Sequence, residues 1–188
     1  MKKIAVFASG SGTNAENIAK YFADNQNIIV ALAVSNNPQA GVHARMNRLN
    51  IPTMTFTNEE FAEGTEIVKK MQEFEVDWIV LAGFLKMISE PIRKAFPSRI
   101  INIHPALLPK YGGKGMYGMR VHEAVVAAGD TESGITIHYI NEYYDEGQII
   151  FQARCPVLPA DTAEDVANKV HALEYKYFPP VIEEVVSK

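Results

Sequence analysis

The chain alternates two hydrophobic patterns. Continuous apolar runs at 4–8, 28–34 and 78–82 predict buried strands, and 52–56 and 99–103, apolar with polar residues among them, predict two more. Between them, 14–22, 40–49, 59–74 and 89–95 carry apolar residues at the three-to-four spacing of a helix. Strands alternating with helices predict right-handed βαβ units and a mainly parallel sheet. The pattern changes after Val121. GITIHYI and QIIFQARCPV read as strands joined across NEYYDEG, an antiparallel hairpin with a long loop. The remaining segment, 163–186, places Val166, Val170, Leu173 and Tyr177 in one helical stripe, which Pro179 and Pro180 are expected to break or kink.

The 188 residues suit one compact domain, 1–188. A net charge of -4 argues against a general nucleic-acid binder but is compatible with a local pocket for a small anion. Cys155 is the only cysteine, so no internal disulfide can form, as expected of a cytoplasmic protein. No apolar run is long enough to span a membrane. The opening MKKIAVFASGSG is too short in its apolar part for a signal peptide and is expected to be a strand.

Candidate chemistry begins in ASGSGTNAEN. Gly10, Gly12 and Ala15 satisfy G-x-G-x-x-A directly after a strand, and Thr13 with Glu16 fits a capping box. Free N–H groups at such a helix start suit an anion. A dinucleotide would also want an acid after the second strand, where Ser35-Asn36-Asn37 stands. A simple phosphomonoester therefore fits better, and a tight strand-to-helix turn without a ligand is the bland alternative.

The run IINIHPALLPKY ends a core strand on polar side chains. Asn102 and His104, two apart, share one face at the strand's carboxyl end, where open α/β sheets bind ligands. Together they can hold a developing oxyanion; alternatively, loop backbone satisfies both. Asp145, in Tyr143-Tyr144-Asp145-Glu146-Gly147, could face His104 and favour its charged form if the hairpin loop folds over the sheet end, with Glu146 as the neighbouring alternative. The apolar stretch Leu85-Lys86-Met87-Ile88 follows a strand and suits a slot for a flat ring, or core packing. His171 and Glu174 share a helix flank, for which a solvated edge is the simpler reading. His43 and His122 are expected on surface helices. No H-x-x-x-H pattern or cysteine cluster suggests a metal, and no G-x-S-x-G suggests a serine nucleophile.

These residues resemble the folate-dependent glycinamide ribonucleotide formyltransferases. The similarity runs through AVFASGSGTN, DWIVLAGFLKMIS, INIHPALLPKY and DEGQIIFQARCPV to the terminal helix. The resemblance implies a Rossmann-like α/β fold: a mostly parallel seven-stranded sheet, helices on both faces and a C-terminal antiparallel hairpin. It further implies that Gly12, Thr13 and Asn14 hold the substrate phosphate, with Glu174 on the ribonucleotide side. Leu85, Lys86, Met87 and Ile88, with Asn102, Asn141, Glu142, Tyr143, Tyr144 and Asp145, would line the folate site. Asn102, His104 and Asp145 match the catalytic trio. The co-substrate would be 10-formyltetrahydrofolate, with no metal, and the partners small molecules rather than nucleic acid or membrane, acting on a monomer or weak homodimer. Two departures stand out. The stretch after Tyr111, GGKGMYGMRVHEAV, is longer and richer in glycine than the family's usual short loop, and 56–68 lacks an arginine that some relatives place near the folate.

The chemistry so implied is direct attack of the glycinamide amine on the formyl carbon. Formyltetrahydrofolate hydrolase is the nearest alternative; it shares the trio but is expected to carry a further N-terminal domain. Methionyl-tRNA formyltransferase would need an added RNA-binding domain. A non-catalytic nucleotide-binding protein would explain Gly10 to Asn14 but leave the trio unused.

Overall fold

The computed structural model describes residues 1–188. Its elements are β1 (Lys2–Phe7), α1 (Thr13–Tyr21), β2 (Ile28–Ser35), α2 (Gly41–Arg48), β3 (Thr53–Thr55), α3 (Asn58–Glu63), α4 (Thr65–Glu73), β4 (Trp78–Leu81), α5 (Glu90–Ala95), β5 (Ile100–His104), α6 (Met119–Ala127), β6 (Glu132–Tyr139), β7 (Ile149–Pro156) and α7 (Ala163–Val186). The strands form a seven-stranded, mostly parallel sheet in the order β3-β2-β1-β4-β5-β6-β7, with β6 and β7 antiparallel. The chain divides into two compact units, Met1–Ile101 with Ile182–Lys188, and Asn102–Val181.

In the first unit β1 pairs in parallel with both β2 and β4. The chain winds outward from β1 through β2 to β3, then returns to β1's other side as β4. Right-handed crossovers in opposite directions place α1 and α2 on one face and α3 and α4 on the other. The reversal lies between β1 and β4, where such sheets open a crevice at the strands' carboxyl ends. Ile4, Val6, Phe7, Leu32, Val34, Ile79 and Val80 are fully buried, as expected of strands covered on both faces. Phe7, Phe61 and Phe84 form an aromatic cluster with ring centroids 4.8–6.0 Å apart, so Phe84 anchors the loop after β4. Residues 182–188 join this unit through Glu183, which accepts hydrogen bonds from the Tyr21 hydroxyl (2.6 Å) and Asn25 Nδ2 (2.7 Å).

In the second unit β6 is buried on both faces. Ile135 and Ile137 project to one side, Thr136 and His138 to the other. The β6–β7 register slips between Ile137 and His138, where Ile150 is the extra residue of a bulge. A bulge turns the strand locally and re-aims the neighbouring side chain.

Three local expectations are corrected. The helix expected over 59–74 is two helices, because Gly64 (φ 76°) ends α3 and starts α4. The capping box sits at Thr57 and Glu60 rather than at Thr13 and Glu16. The helix α1 is capped by Gly12, with no side-chain cap bond, and Glu16 turns instead to Lys20 and Arg45. Pro179 and Pro180 do not break α7, which continues to Val186. Burial of Phe178, Val181 and Ile182 outweighs the lost backbone bonds there.

Candidate active site

Four polar side chains of the second unit converge. Asn102 and His104 come from the end of β5, His138 from β6 beside the bulge, and Asp145 from the loop after β6. The Asp145 Oδ1 atom lies 3.6 Å from His104 Nδ1 and 3.8 Å from His138 Nε2, while Asn102 Nδ2 lies 3.0 Å from His138 Nε2. His104 and His138 are buried and Asp145 is 13% exposed, so charges here interact through protein more than through water.

The hydrogen-bond partners set the protons. A carbonyl only accepts, so His138 Nδ1–H donates to the Tyr139 carbonyl (2.9 Å), which leaves Nε2 to accept from the Asn102 amide. Burial pushes the His138 pKa down, against the opposing pull of the Tyr139 bond and of Asp145, which keeps this ring neutral. Asn102 is thereby held with its second amide N–H unused by His138. His104 Nε2–H donates to the Tyr111 carbonyl at 2.7 Å. Its Nδ1 is then the nitrogen facing Asp145, and 3.6 Å is an ion-pair distance rather than a hydrogen bond. A proton on Nδ1 is close enough to be stabilised by the carboxylate without being committed to it.

Asp145 reaches this position by an uncommon backbone. It has a positive φ of 58°. Gly147 permits the loop's close return: a Cβ there would stand 1.6 Å from the Tyr139 carbonyl oxygen. The other Asp145 oxygen accepts from Gly113 N–H at 2.9 Å. The glycine-rich stretch after Tyr111 therefore holds the acid. Glu146 is exposed, and the structure brings Asp145, not Glu146, to His104.

The first unit carries two loops at its switch point. After β1, Gly12 adopts φ 75°, and a Cβ there would lie 2.5 Å from Val42 Cα, so glycine is required by packing as well as by conformation. The opening turn of α1 presents the N–H groups of Thr13 and Asn14, with the Glu16 N–H already bonded to Gly12 O. After β4, Ser9 N–H donates to Gly83 O and Leu85 N–H to Ser9 Oγ, tying the two loops together. With Phe84 and Ile88 buried, Leu85 (48% exposed) and Met87 (43%) stand outward beside Lys86, an apolar surface on a pinned loop. At Ile88 only the backbone is on offer to a ligand.

On α7, Glu174 is 6% exposed, which corrects the solvated-edge reading; His171 on the same flank is exposed. His122 does lie on a surface helix, α6, whose Arg120 and Glu123 are exposed, but on its buried face: its ring lies 6.3 Å from that of His171, and its Nδ1 has no partner. Burial first, then His171 and His104, lower its pKa to about 4. Asn141 accepts from Tyr143 N–H and shapes the loop in which Glu142, Tyr143 and Tyr144 are exposed. No group of three or more His, Cys, Asp or Glu is placed to hold a metal ion, and no helix is long and apolar enough to cross a membrane.

Residues 2–182 match the Formyl transferase family. The chain belongs to that family. It is 41% identical over 187 residues to the chloroplastic phosphoribosylglycinamide formyltransferase of Arabidopsis thaliana, covering 96% of this chain and 64% of that protein. It is 36% identical to the phosphoribosylglycinamide formyltransferase of Bacillus subtilis, covering 99% of this chain and 95% of the relative. Among solved structures, the phosphoribosylglycinamide formyltransferase of Streptococcus pneumoniae superposes with a TM-score of 0.87 at 34% identity, covering 98% of this chain and 99% of that one. The chain thus spans less than two thirds of the plant relative's length and nearly all of the bacterial ones.

In this member of the formyl transferase family, sequence reasoning passed over His138, Thr136 and Tyr111. Thr136 and His138 repeat on β6 the polar two-residue spacing of Asn102 and His104, a signal present in the sequence. Thr136 Oγ1 donates to Ala106 O and accepts from Leu108 N–H and Gln152 Nε2, stapling the segment after His104. The part played by Tyr111 is carried by its backbone carbonyl, to which no residue pattern points.

Proposed function

We propose that this chain, as a single formyltransferase domain over 1–188, is an enzyme of purine synthesis that transfers the formyl group of 10-formyltetrahydrofolate to the amine of glycinamide ribonucleotide. The observation that carries the proposal is the convergence of Asn102, His104, His138 and Asp145 in a chain whose relatives bear that name. The amine attacks the formyl carbon, and the carbonyl oxygen becomes an oxyanion. The free N–H of Asn102 donates to it, and His104 in its charged form donates from Nδ1. As the bond from the formyl carbon to the folate nitrogen breaks, His104 gives its proton to that nitrogen. Asp145 stabilises the charged ring and takes up, directly or through a water, the proton lost by the attacking amine.

In this reading Gly12, Thr13 and Asn14 bind the substrate phosphate at the start of α1, and Glu174 serves the ribonucleotide side. Leu85 to Ile88 and Asn141 to Asp145, with Asn102, line the folate site. The co-substrate is the only cofactor, the partners are these two small molecules, and the protein acts in the cytoplasm as a monomer or weak homodimer. Formyl transfer assayed with and without glycinamide ribonucleotide tests the proposal. Product formylated on the ribonucleotide amine, absent without it, is expected. Equal loss of the formyl group in both assays would indicate hydrolysis instead, and no turnover would leave a binding protein.

A further inference from the structure

The catalytic ring has a second support, on the side away from Asp145. His104 Nε2–H donates to the Tyr111 carbonyl. Tyr111 is a non-glycine residue with a positive φ of 55°, a conformation that must be held by its surroundings. Its side chain and that of its neighbour are tied to Asp130, just after α6. The Tyr111 hydroxyl donates to Asp130 Oδ2 at 2.9 Å, and the preceding side chain, Lys110, places Nζ 3.1 and 3.3 Å from the same carboxylate. One acid therefore grips two consecutive side chains, and the carbonyl between that grip and the ring accepts the histidine's proton.

We infer that Asp130, through Tyr111, is a positioning residue for His104: it fixes the backbone carbonyl that takes the Nε2 proton and so decides that Nδ1 is the nitrogen presented to the reaction. The role assigned to Nδ1 rests on the formyl-transfer reading; the proton placement does not. Three observations support the inference. The Tyr111 ring is half-buried, and its hydroxyl pKa is raised by burial and then by the bond to Asp130. The Asp130 pKa is lowered by Tyr111 and Lys110, so the acid is a committed acceptor at neutral pH. The stretch between His104 and Tyr111 is also anchored midway, since Leu108 N–H donates to Thr136 Oγ1 and Leu108 O accepts from Gln152 Nε2. With that midpoint fixed, the remaining freedom of the Tyr111 carbonyl is the part Asp130 removes.

The test reads the ring and the rate separately. Asp130→Ala removes the grip, and Tyr111→Phe removes only a hydroxyl, leaving the carbonyl in the chain. Nitrogen-15 NMR of the His104 ring in the full-length protein is expected to show Nε2 protonated and slow to exchange in the wild type. In both variants exchange should quicken and the Nδ1 and Nε2 tautomers should mix. Turnover should fall about 10- to 100-fold in kcat with little change in either KM, as for a misaligned catalytic group. The double variant should be no worse than Asp130→Ala, because the two act as one unit. Asp130→Glu should restore part of the loss. If Asp130→Ala does not fold, Tyr111→Phe carries the test alone. Wild-type ring signals in the variants, or additive losses in kcat, would overturn the inference while leaving formyl transfer intact. Mixed tautomers in a protein without formyl-transfer activity would support the positioning role and reject the proposed reaction.

Discussion

Asn102 Nδ2 donates to His138 Nε2 over 3.0 Å, and His138 is turned to receive it by its own bond to the Tyr139 carbonyl. The relationship makes a strand-end amide dependent on a residue 36 positions later. His138→Phe keeps a ring of similar size but removes the acceptor. Turnover is expected to fall about 10- to 100-fold through misplacement of the Asn102 donor, with smaller changes in KM. Steady-state kinetics on a variant with an unchanged melting temperature would check it, and wild-type kcat would show that Asn102 orients itself.

Asp145 and Glu146 are adjacent acids with different surroundings. Asp145→Asn loses the charge 3.6 Å from His104 and is expected to lower kcat at least as much as removal of one oxyanion donor, about 10²-fold or more. Glu146 is exposed, and Glu146→Gln should stay within about twofold of wild type. Parallel kinetics on the two variants decide it, since the reverse ranking would assign the acid to the neighbouring position.

At the start of α1, binding and stability should move in opposite directions. Thr13→Asp puts a carboxylate where the substrate phosphate is proposed to sit, so the ribonucleotide KM should rise about tenfold or more, with kcat largely kept. The same negative charge suits a helix N-terminus and should leave folding stability unchanged or raised by about 0.5 kcal/mol. A lower melting temperature with unchanged KM would place the anion elsewhere.

His122 makes a prediction about acid. Its folded pKa of about 4 lies below the ordinary histidine value of 6.5, chiefly because burial disfavours the charged ring, with His171 and His104 adding repulsion. The unfolded chain therefore binds more protons between these values. The associated stability is fully present above pH 6.5 and is lost as pH falls toward 4, by about 3 kcal/mol in all. Urea titrations at a series of pH values should show His122→Leu losing less stability on acidification than the wild type. Some acid sensitivity should remain, because His138 is shifted in the same direction.

Much of this molecule is legible from hydrophobic period alone. The buried strands β1, β2, β4 and β5 lie within two residues of the apolar runs that predict them, because strands covered on both faces have no polar positions to blur the signal. The hairpin is equally plain. What period cannot supply is the identity of the partner across space. Glu174 sits beside an apolar stripe, and helix geometry alone leaves its flank ambiguous; packing buries it. Thr13 and Glu16 have the spacing of a capping box, but Arg45 and Lys20 draw Glu16 away. The choice between Asp145 and Glu146 turns on one left-handed residue, and no sequence pattern announces that the residue is Asp145 itself rather than Gly147.

The unbroken course of α7 through Pro179 and Pro180 has a consequence for how the protein breathes. Neither proline carries an N–H, so two consecutive rungs of the helical ladder cannot form, and Pro180 faces solvent. The helix is one rod in shape, but its ladder of hydrogen bonds lacks two consecutive rungs and is weakest between 163–178 and 181–186. Amide protons of 181–186 can exchange with solvent deuterium in an opening that leaves 163–178 closed, so protection against isotope exchange should step down past the prolines.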